Sequence, residues 1–268
     1  MREKLKEIFE KNGIEYFDVI DIKDTTVNKS YLLDRLGKPV KSAIVYLMPY
    51  YAGEPVNISR YATSLDYHIV NRRIADRIIP TLSALYPEES FLSFADHSPI
   101  DERAAALKLG LGVIGKNGLI INEKYGSYVF IGEIVTSVSS EALGGGKIGA
   151  VKECIGCGKC LTACPTGILR GEGCDCLSAI TQKKSELNES EISLMRKYNT
   201  AWGCDICQSV CPYNKKPKIT PIPDFKTDNI YRLDREILDN MSEEEFQNRA
   251  FSWRGKDILY RNLDALEK

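Results

Sequence analysis

The sequence has no cysteine before residue 154, and this absence divides the chain. All nine cysteines of the 268 residues lie between Cys154 and Cys211. The first half therefore offers no thiolate ligand, and the two histidines, His68 and His97, are too few for a metal site of their own. We interpret His68 as a packing or hydrogen-bonding residue. Cysteine metal ligands are therefore expected in the second half alone.

Long apolar runs and an excess of charge are also absent. No run approaches the about 20 residues of a membrane-spanning helix, and residues 1–13 form an amphipathic helical pattern without the apolar core of an export signal. The net charge of −1 gives no overall attraction to nucleic acid or anionic lipid, so an RNA partner would need a local basic patch. We therefore expect a cytoplasmic protein whose clustered cysteines are metal ligands, because disulfides are rare in that reducing compartment.

The first cysteine run has the spacing of an iron–sulfur site. The stretch CIGCGKCLTACPTG holds Cys154, Cys157, Cys160 and Cys164 before a proline, in the pattern C-x2-C-x2-C-x3-C-P. In such a run the fourth cysteine ligates the other cluster of a two-cluster protein. The sequence therefore predicts two [4Fe–4S] clusters.

A second, shorter run supplies the partner cysteines. The stretch CDICQSVCP has the pattern C-x2-C-x3-C-P. If the last cysteine of each run ligates the cluster of the other run, the ligands form two sets. One cluster takes Cys154, Cys157, Cys160 and Cys211, and the other takes Cys164, Cys204, Cys207 and one further cysteine. Cys174 and Cys176 are both available for the last position, so one of nine cysteines is spare. Zinc ribbons also contain C-x2-C pairs, but two C-P endings favour iron–sulfur clusters.

The cysteine-free half mixes helices and strands without strict alternation, which indicates an α+β fold. The apolar run Ser42–Pro49 predicts a buried strand, and residues 57–79 predict a helix with Ile74 and Ile78 on its buried face. Arg72, Arg73 and Arg77 lie off that face. Residues 118–135 predict two strands around a turn near residues 124–126, and the glycine-rich stretch 139–150 predicts a linker.

An acidic residue stands between a predicted strand and a predicted helix. The strand covers FLSFAD and ends at Asp96; we expect the helix to begin with Ser98 as N-cap and Pro99 at its first position, and to end at Gly110 or Gly112. On this pattern alone Asp96 is as well explained as a turn-forming residue.

The stretch GLGVIGKN, Gly110–Asn117, matches both G-x-G-x-x-G and most of a P-loop. Both motifs need a strand before the glycines and a helix after them, so that a helix N-terminus faces phosphate. Here a helix precedes and a strand follows, and Asn117 lacks the hydroxyl that binds magnesium. We predict a turn that brings backbone close to a large flat ligand rather than a nucleotide site.

Motifs along nearly the whole chain resemble the epoxyqueuosine reductase family. They are DYH at residues 66–68, D-x-x-P-x-x-E-R at 96–103, GLGVIGKN at 110–117, GSYVFIGE at 126–133, the first cysteine run, CLSAITQ at 176–182, GCDICQSVCPYN at 203–214 and FSWRGKDILYRN at 251–262. The resemblance implies a cobalamin-binding catalytic domain at residues 1–145, related to reductive dehalogenases. It further implies a ferredoxin-like double-cluster domain at 151–225 and a C-terminal helical tail at 226–268.

The resemblance also implies a reaction and its residues. The family removes the epoxide oxygen of epoxyqueuosine in tRNA, giving queuosine and water, with electrons passing through the clusters to cobalamin. Asp96 corresponds to the family's proposed proton donor, and burial beside an apolar corrin would raise the pKa of such a carboxyl. Cys176 corresponds to the eighth cluster ligand, which leaves Cys174 spare. The implied cobalamin contacts are Arg60, Tyr61, Asp96, Gly115, Lys116, Asn117, Ile120, Ser127 and Ile131.

The implied partners are tRNA and an external electron donor such as flavodoxin or ferredoxin, with no membrane. The sequence stops soon after the RN of residues 261–262, whereas longer family members continue into a helical-repeat domain that helps bind tRNA. The best local RNA contacts are the basic stretches at residues 182–184, 195–197 and 214–218. Two other functions remain open: a dehalogenase-like corrinoid reductase of a small molecule, and a corrin-free electron-transfer protein.

Overall fold

A four-stranded antiparallel sheet forms the centre of the first half in this computed structural model, which describes residues 1–146, 148–173 and 175–267. The strand order is β1-β2-β6-β3. The strands are β1 (Phe17–Asp21), β2 (Ser42–Pro49), β3 (Phe91–Phe94), β4 (Val113–Ile114), β5 (Ile120–Ile121) and β6 (Val129–Thr136). The helices of this half are α1 (Arg2–Glu10), α2 (Ser30–Leu33), α3 (Tyr67–Leu85) and α4 (Glu102–Lys108).

The predicted strand Ser42–Pro49 is β2, and all eight of its residues are buried. It pairs along its whole length with β6, from Ser42 opposite Thr136 to Pro49 opposite Val129. Alternate side chains enter two apolar cores, because neighbouring residues of a strand face opposite sides of a sheet. Ile44 lies in the core that also holds residues of α1 and α3, and Val45 in the core that also holds residues of α4.

Helix α3 confirms one part of the predicted 57–79 helix and corrects the other. Ile74 and Ile78 are fully buried, and the three arginines are exposed. The helix begins only at Tyr67, where the side chain of Asp66 accepts a hydrogen bond from the His68 amide. The earlier residues make backbone hydrogen bonds to the cysteine-rich half instead, for example from Ser59 to the Trp202 carbonyl at 2.7 Å.

The predicted start of α4 at Ser98 is wrong. Asp101 is the N-cap and accepts the Ala104 amide at 2.9 Å. Ser98 instead donates its hydroxyl to Glu133 on β6 at 2.6 Å, and the Pro99 carbonyl accepts amides from the loop before α2. The predicted end of the helix is confirmed, because the chain reverses through Gly110 with a φ of 72°.

The two strands predicted in residues 118–135 exist as β5 and β6, joined through a turn that the Asn122–Gly126 bridge closes. They belong to different sheets, because β5 pairs with β4 and β6 with β2 and β3. The predicted linker follows β6. Its Gly146 donates to Asp18 at 2.9 Å and its Gly149 to the Lys108 carbonyl at 2.9 Å, so the described parts of this stretch lie against the first half.

The second half consists of short helices around the cysteines. They are α5 (Lys159–Ala163), α6 (Leu177–Thr181), α7 (Glu189–Tyr198), α8 (Ile206–Ser209), α9 (Arg235–Asn240), α10 (Glu243–Gln247) and α11 (Lys256–Glu267). Short 3₁₀ helices occur at Ile22–Asp24, Asp34–Leu36, Arg60–Ala62, Ile168–Arg170, Pro212–Asn214, Pro223–Lys226 and Ser252–Arg254. No helix among the described residues has the length and apolar character to cross a membrane.

The C-terminal helices pack on the segments that join the two halves. Trp202 and Phe251 are fully buried in one apolar core, with their rings in edge contact. Asn262 on α11 is also fully buried and donates from Nδ2 to the carbonyls of Thr181 and Ala201, at 2.7 and 2.8 Å. The RN motif therefore ties α11 to the residues that flank the cysteines.

Candidate functional site

The fold brings the two cysteine runs together. Helices α5 and α8, which carry part of each run, pack against each other. Cys154 is anchored to the first half, because its amide donates to the Ile114 carbonyl of β4 at 3.0 Å. A small cavity of about 20 Å³ opens beside this strand. Its cysteine lining is Cys154, Cys157, Cys160 and Cys211.

These four thiols are the first predicted ligand set, and they act on one another electrostatically. Burial raises the pKa of Cys160, and the neighbouring Cys154 and Cys157 raise it further. Burial likewise raises the pKa of Cys211, with added contributions from the same set. Cysteine ligands bind iron–sulfur clusters as thiolates. Without a cluster, this site disfavours the negative charge of the thiolates, so it is suited to bind a positively charged metal centre that compensates that charge.

A second group contains Cys176, Cys204 and Cys207, which are three of the four other predicted ligands. Burial raises the pKa of Cys204 to about 12 and that of Cys207 to about 11, and Cys176 adds to both shifts. For Cys164 burial acts in the same direction, but it is outweighed by backbone amides from Thr166 to Leu169, which lower its pKa. The predicted spare, Cys174, lies outside the described residues. The eight described cysteines form no disulfide.

All eight described thiols are sulfur donors of the kind that iron–sulfur clusters use. Asn117 provides a further observation, because its buried Nδ2 lacks a hydrogen-bond partner in the described structure. It is nevertheless close enough to Cys207 to lower that thiol's pKa. Such N–H donors toward sulfur are a recurrent feature of cluster sites.

The glycine segment Gly110–Asn117 lies between α4 and β5, so the order of elements is the reverse of a P-loop, as predicted. Gly115, Lys116 and Asn117 line the cluster cavity. A Cβ atom at Gly115 would lie 2.3 Å from Asn117 Oδ1 and 2.9 Å from Ile121 Cδ1, so a larger residue there would displace both side chains. The segment thus connects the sheet domain to the cysteines.

Three predicted cofactor contacts connect the two halves. Arg60 forms ion pairs with Glu54 and with Asp205, the latter at 3.2 Å. The Tyr61 hydroxyl accepts the indole N–H of Trp202 at 2.8 Å. Ser127 donates to Gln208 at 2.9 Å and receives the Asn214 amide group at 2.8 Å. Sequence reasoning did not find the polar partners Asp205 and Gln208, which directly follow the predicted ligands Cys204 and Cys207.

Asp96 lies two residues beyond the end of β3 in the left-handed conformation, with a φ of 61°. Its side chain is 70% exposed, and its Oδ2 lies 3.9 Å from Nε2 of His68. Its amide donates to Glu102 Oε2 at 3.2 Å. Asp96 and Glu102 also raise the pKa of Tyr67, although burial of the Tyr67 phenol is the largest cause. The structure therefore groups Asp96 with a phenol, an imidazole and a second carboxyl.

Two carboxyl groups near the Asp96 loop, the half-buried Glu102 and the buried Glu133, were missed as site residues. Burial raises the pKa of Glu102 to about 7, and that of the fully buried Glu133 to about 8. Glu133 Oε1 accepts the Ser98 hydroxyl, whereas Oε2 has no hydrogen-bond partner in the described residues. The sequence held a signal, because the alternation of Ile131, Glu133 and Val135 places a charge on the core face of an apolar strand.

The edge of β6 next to Asp96 is only partly covered. Strand β3 pairs with Glu133–Thr136, which leaves the Val129–Gly132 edge without a strand partner on that side within the described ranges. Of the predicted contacts nearby, Ile131 is half-buried, whereas Ile120 is only 6% exposed and packs in the core. The site therefore combines an open strand edge, the Asp96 loop and the cysteine groups.

The chain is similar to known proteins in sequence and in fold. Residues 153–214 match the 4Fe-4S double cluster binding domain. The chain is 34% identical over 220 residues to the epoxyqueuosine reductase of Lactococcus garvieae, covering 77% of this chain and 60% of that protein. It is 34% identical over 221 residues to that of Synechocystis, covering 77% and 75%.

A solved structure of epoxyqueuosine reductase with an epoxyqueuosine-modified tRNA-Tyr stem loop superposes with a TM-score of 0.76 at 26% identity, covering 98% of this chain and 80% of that one. This likeness, with the double-cluster match, confirms the predicted order of an α+β sheet domain followed by a double-cluster domain. The chain spans 60% of the Lactococcus relative's length. At 34% identity over three quarters of the Synechocystis protein, the chain belongs to the epoxyqueuosine reductase family.

Proposed function

We propose that this chain reduces the epoxide of epoxyqueuosine in tRNA, giving queuosine and water. The observation that carries the proposal is a continuous connection between the cysteine groups and Asp96. Asn117 lies beside Cys207, and the Gly118 carbonyl accepts Arg103 Nη1 at 3.0 Å. Arg103 follows Glu102, which holds the amide of Asp96. Electrons from two clusters and a proton from a carboxyl would thus reach one region of the protein.

We further propose cobalamin as the cofactor in that region. The open Val129–Gly132 edge and the half-buried Ile131 fit a flat, largely apolar ligand. Contacts to Ile120 and Ser127 would be made through the backbone, since both side chains are buried against protein. When bound, the clusters supply electrons and the corrin cobalt supplies the reducing centre.

In this proposal Asp96 holds the proton that leaves with the epoxide oxygen. Breaking both carbon–oxygen bonds of the epoxide to give an alkene and water consumes two electrons and two protons. The Asp96 carboxyl is exposed enough to reach a substrate, and His68 and Tyr67 lie beside it. The Glu102 side chain holds the Asp96 amide and thereby fixes the loop from which the carboxyl projects.

The remaining assignments follow the same proposal. Residues 1–145 would bind cobalamin and substrate, residues 151–225 would carry electrons from flavodoxin or ferredoxin, and residues 226–268 would support the second half. Of the basic stretches, residues 214–218 fit RNA best, because Lys215, Lys216 and Lys218 are all exposed. In the other two stretches Lys183 pairs with Glu191 at 2.9 Å, and Arg196 donates to a backbone carbonyl.

The test is single-turnover conversion of epoxyqueuosine-containing tRNA by the anaerobically reconstituted protein with a chemical reductant. We expect queuosine among the nucleosides after digestion, and a cobalamin absorbance spectrum that changes on binding. Cluster reduction without any conversion, in protein that holds corrin, would contradict the tRNA assignment. Failure to bind corrin at all would leave electron transfer as the supported function.

The role of Asp96 is tested by Asp96→Asn, which preserves shape but gives up no proton at neutral pH. We expect unchanged cluster and corrin content and a turnover lowered by roughly a hundredfold or more. Asp228→Asn is a matched control, because Asp228 is an exposed aspartate that also has a left-handed φ, of 54°. If Asp96→Asn converts substrate as fast as Asp228→Asn does, Asp96 is not the acid.

A further inference from the structure

A cavity of about 360 Å³ lies on the outer edge of the sheet, next to the Asp96 loop. Its walls are β3, one side of α3 and the Arg35 side chain, and they include Ala95 and His97, the two neighbours of Asp96. No cysteine among the described residues lines the cavity, and it adjoins the proposed acid through His68, which lines it and lies 3.9 Å from Asp96. Any ligand in it would contact the loop that holds the proposed acid.

The charges around this cavity are mainly positive. Arg35 and Arg72 both line it and are exposed, and within residues 1–146, 148–173 and 175–267 neither guanidinium forms an ion pair or a side-chain hydrogen bond. Lys29 Nζ lies 3.1 Å from Nδ1 of His97. Asp76 is the one acidic residue in the described lining. Two unpaired guanidinium groups favour an anionic ligand with several acceptors.

An exposed aromatic side chain adjoins the same basic group. Tyr31 is 59% exposed, and its hydroxyl lies 3.2 Å from Nε2 of His97. An exposed aromatic ring beside basic side chains is the combination by which proteins bind single-stranded nucleic acid, with bases stacked on the ring and phosphates on the cations.

The edge strand in this cavity is poorly suited to a peptide strand. Strand β3 ends the sheet and could in principle pair with an added strand. However, Asn71 Nδ2 donates to the Phe94 carbonyl at 3.2 Å and to the Ser93 hydroxyl at 3.0 Å. The Phe94 carbonyl, at the end of β3 nearest Asp96, therefore already has a donor, and the charge and the aromatic ring favour RNA over β-strand addition.

We infer that this cavity binds the RNA backbone next to the reacting nucleoside, with Arg35 and Arg72 on phosphates and Tyr31 beneath a flanking base. The inference rests on the proposed function, because it assumes that the substrate nucleoside lies at Asp96 within an RNA strand. A nucleoside held there carries its own phosphates across the adjoining surface, where the cavity opens. The net charge of −1 is then no obstacle, since the positive potential is local.

The test compares RNA binding by wild-type protein and the R35Q/R72Q double variant, both with reconstituted clusters. The probe is a fluorescently labelled tRNA-Tyr stem loop, and the readouts are Kd and its dependence on salt. We expect Kd to rise about tenfold at 0.15 M salt, and the slope of log K against log salt to fall by about 1.4, on the basis of about 0.7 per single-strand phosphate contact. Arg73→Gln is the matched control, because Arg73 is the next residue of α3 but pairs with Asp224; we expect its Kd within twofold of wild type.

The outcomes separate this inference from the proposed function. If wild type converts epoxyqueuosine but R35Q/R72Q binds RNA with unchanged Kd and slope, the inference is overturned and the function stands. Unchanged RNA binding together with weakened binding of an acidic peptide would overturn it in favour of a protein partner. Tyr31→Ala should weaken RNA binding at least fivefold and Tyr31→Phe should not, because only the ring stacks. Wild-type affinity in Tyr31→Ala would overturn the stacking contact.

Discussion

Glu133→Gln should make the stability of this protein less sensitive to alkaline pH. Glu133 is fully buried on β6, and burial raises its pKa to about 8, with the charge of Glu102 adding to the shift and the Ser98 hydroxyl opposing it. Its Oε2 has no hydrogen-bond partner among the described residues, so the ionised form is poorly accommodated. Glutamine keeps the shape and the acceptor for Ser98 but carries no titratable proton.

The expected magnitude follows from the difference in bound protons between folded and unfolded protein. The unfolded carboxyl titrates near 4.5 and the folded one near 8, so the folded state holds the extra proton between these values. Its free energy of unfolding therefore falls as pH rises through this window. The separation of about 3.5 pH units corresponds to about 5 kcal/mol, of which about 2 to 3 kcal/mol falls between pH 6 and pH 9.

The assay is urea unfolding under anaerobic conditions at pH 6 and at pH 9, followed by circular dichroism. Over this interval the free energy of unfolding of wild type should fall by about 2 to 3 kcal/mol more than that of Glu133→Gln. Glu141→Gln, at an exposed acid in the loop after β6, is the control and should follow wild type. An equal fall in wild type and Glu133→Gln would show that Glu133 ionises in the folded protein as easily as in the unfolded one.

Further predictions concern the clusters, the glycine segment and the C-terminal helix. Anaerobically reconstituted protein should hold about eight irons; Cys174→Ser should keep this content and Cys176→Ser should lose about half of it, and the reverse result would exchange their roles. ATP should not bind tightly to corrin-free protein, as measured by equilibrium dialysis, because the order of elements around Gly110–Asn117 is the reverse of a P-loop. Asn262→Ala should lower the free energy of unfolding by about 2 to 3 kcal/mol, because two buried carbonyls lose their donor; a loss no larger than that of the exposed Asn240→Ala would contradict this.

Spacing predicted which four cysteines line the cavity beside β4, and for three of them the reason is local. In the first run three cysteines within seven residues must share one turn of chain, so their proximity depends little on the rest of the fold. Three ligands on one tight loop cover one face of a cluster, so the fourth ligand was predicted to come from the other run. The structure brings Cys211 to the cavity that Cys154, Cys157 and Cys160 line. The choice between Cys174 and Cys176 did not follow from spacing, since both lie on one short segment.

Residues whose partners are distant in sequence were predicted least well. Ser98 has every local feature of an N-cap, but its hydroxyl donates to Glu133, 35 residues further on, and Asp101 caps the helix instead. Glu133 itself was missed because its role depends on the helix and loop that cover β6. The sequence shows a charge in an apolar strand, but not that two other carboxyls lie nearby.

The helix predicted over residues 57–79 fails over its first ten residues, for a reason that also explains the site. Backbone groups that a helix would pair internally are paired between the halves: the Ser59 amide donates to the Trp202 carbonyl, and the Asn57 carbonyl accepts the Ala201 amide, both at 2.7 Å. Long-range pairing of this kind outweighs local helix propensity, which differs by less than about 1 kcal/mol between most residues. Arg60 follows directly and pairs with Asp205, between the cluster cysteines Cys204 and Cys207. The irregular backbone is thus the physical connection that holds the cysteine groups against the sheet, and a regular helix here would have removed it.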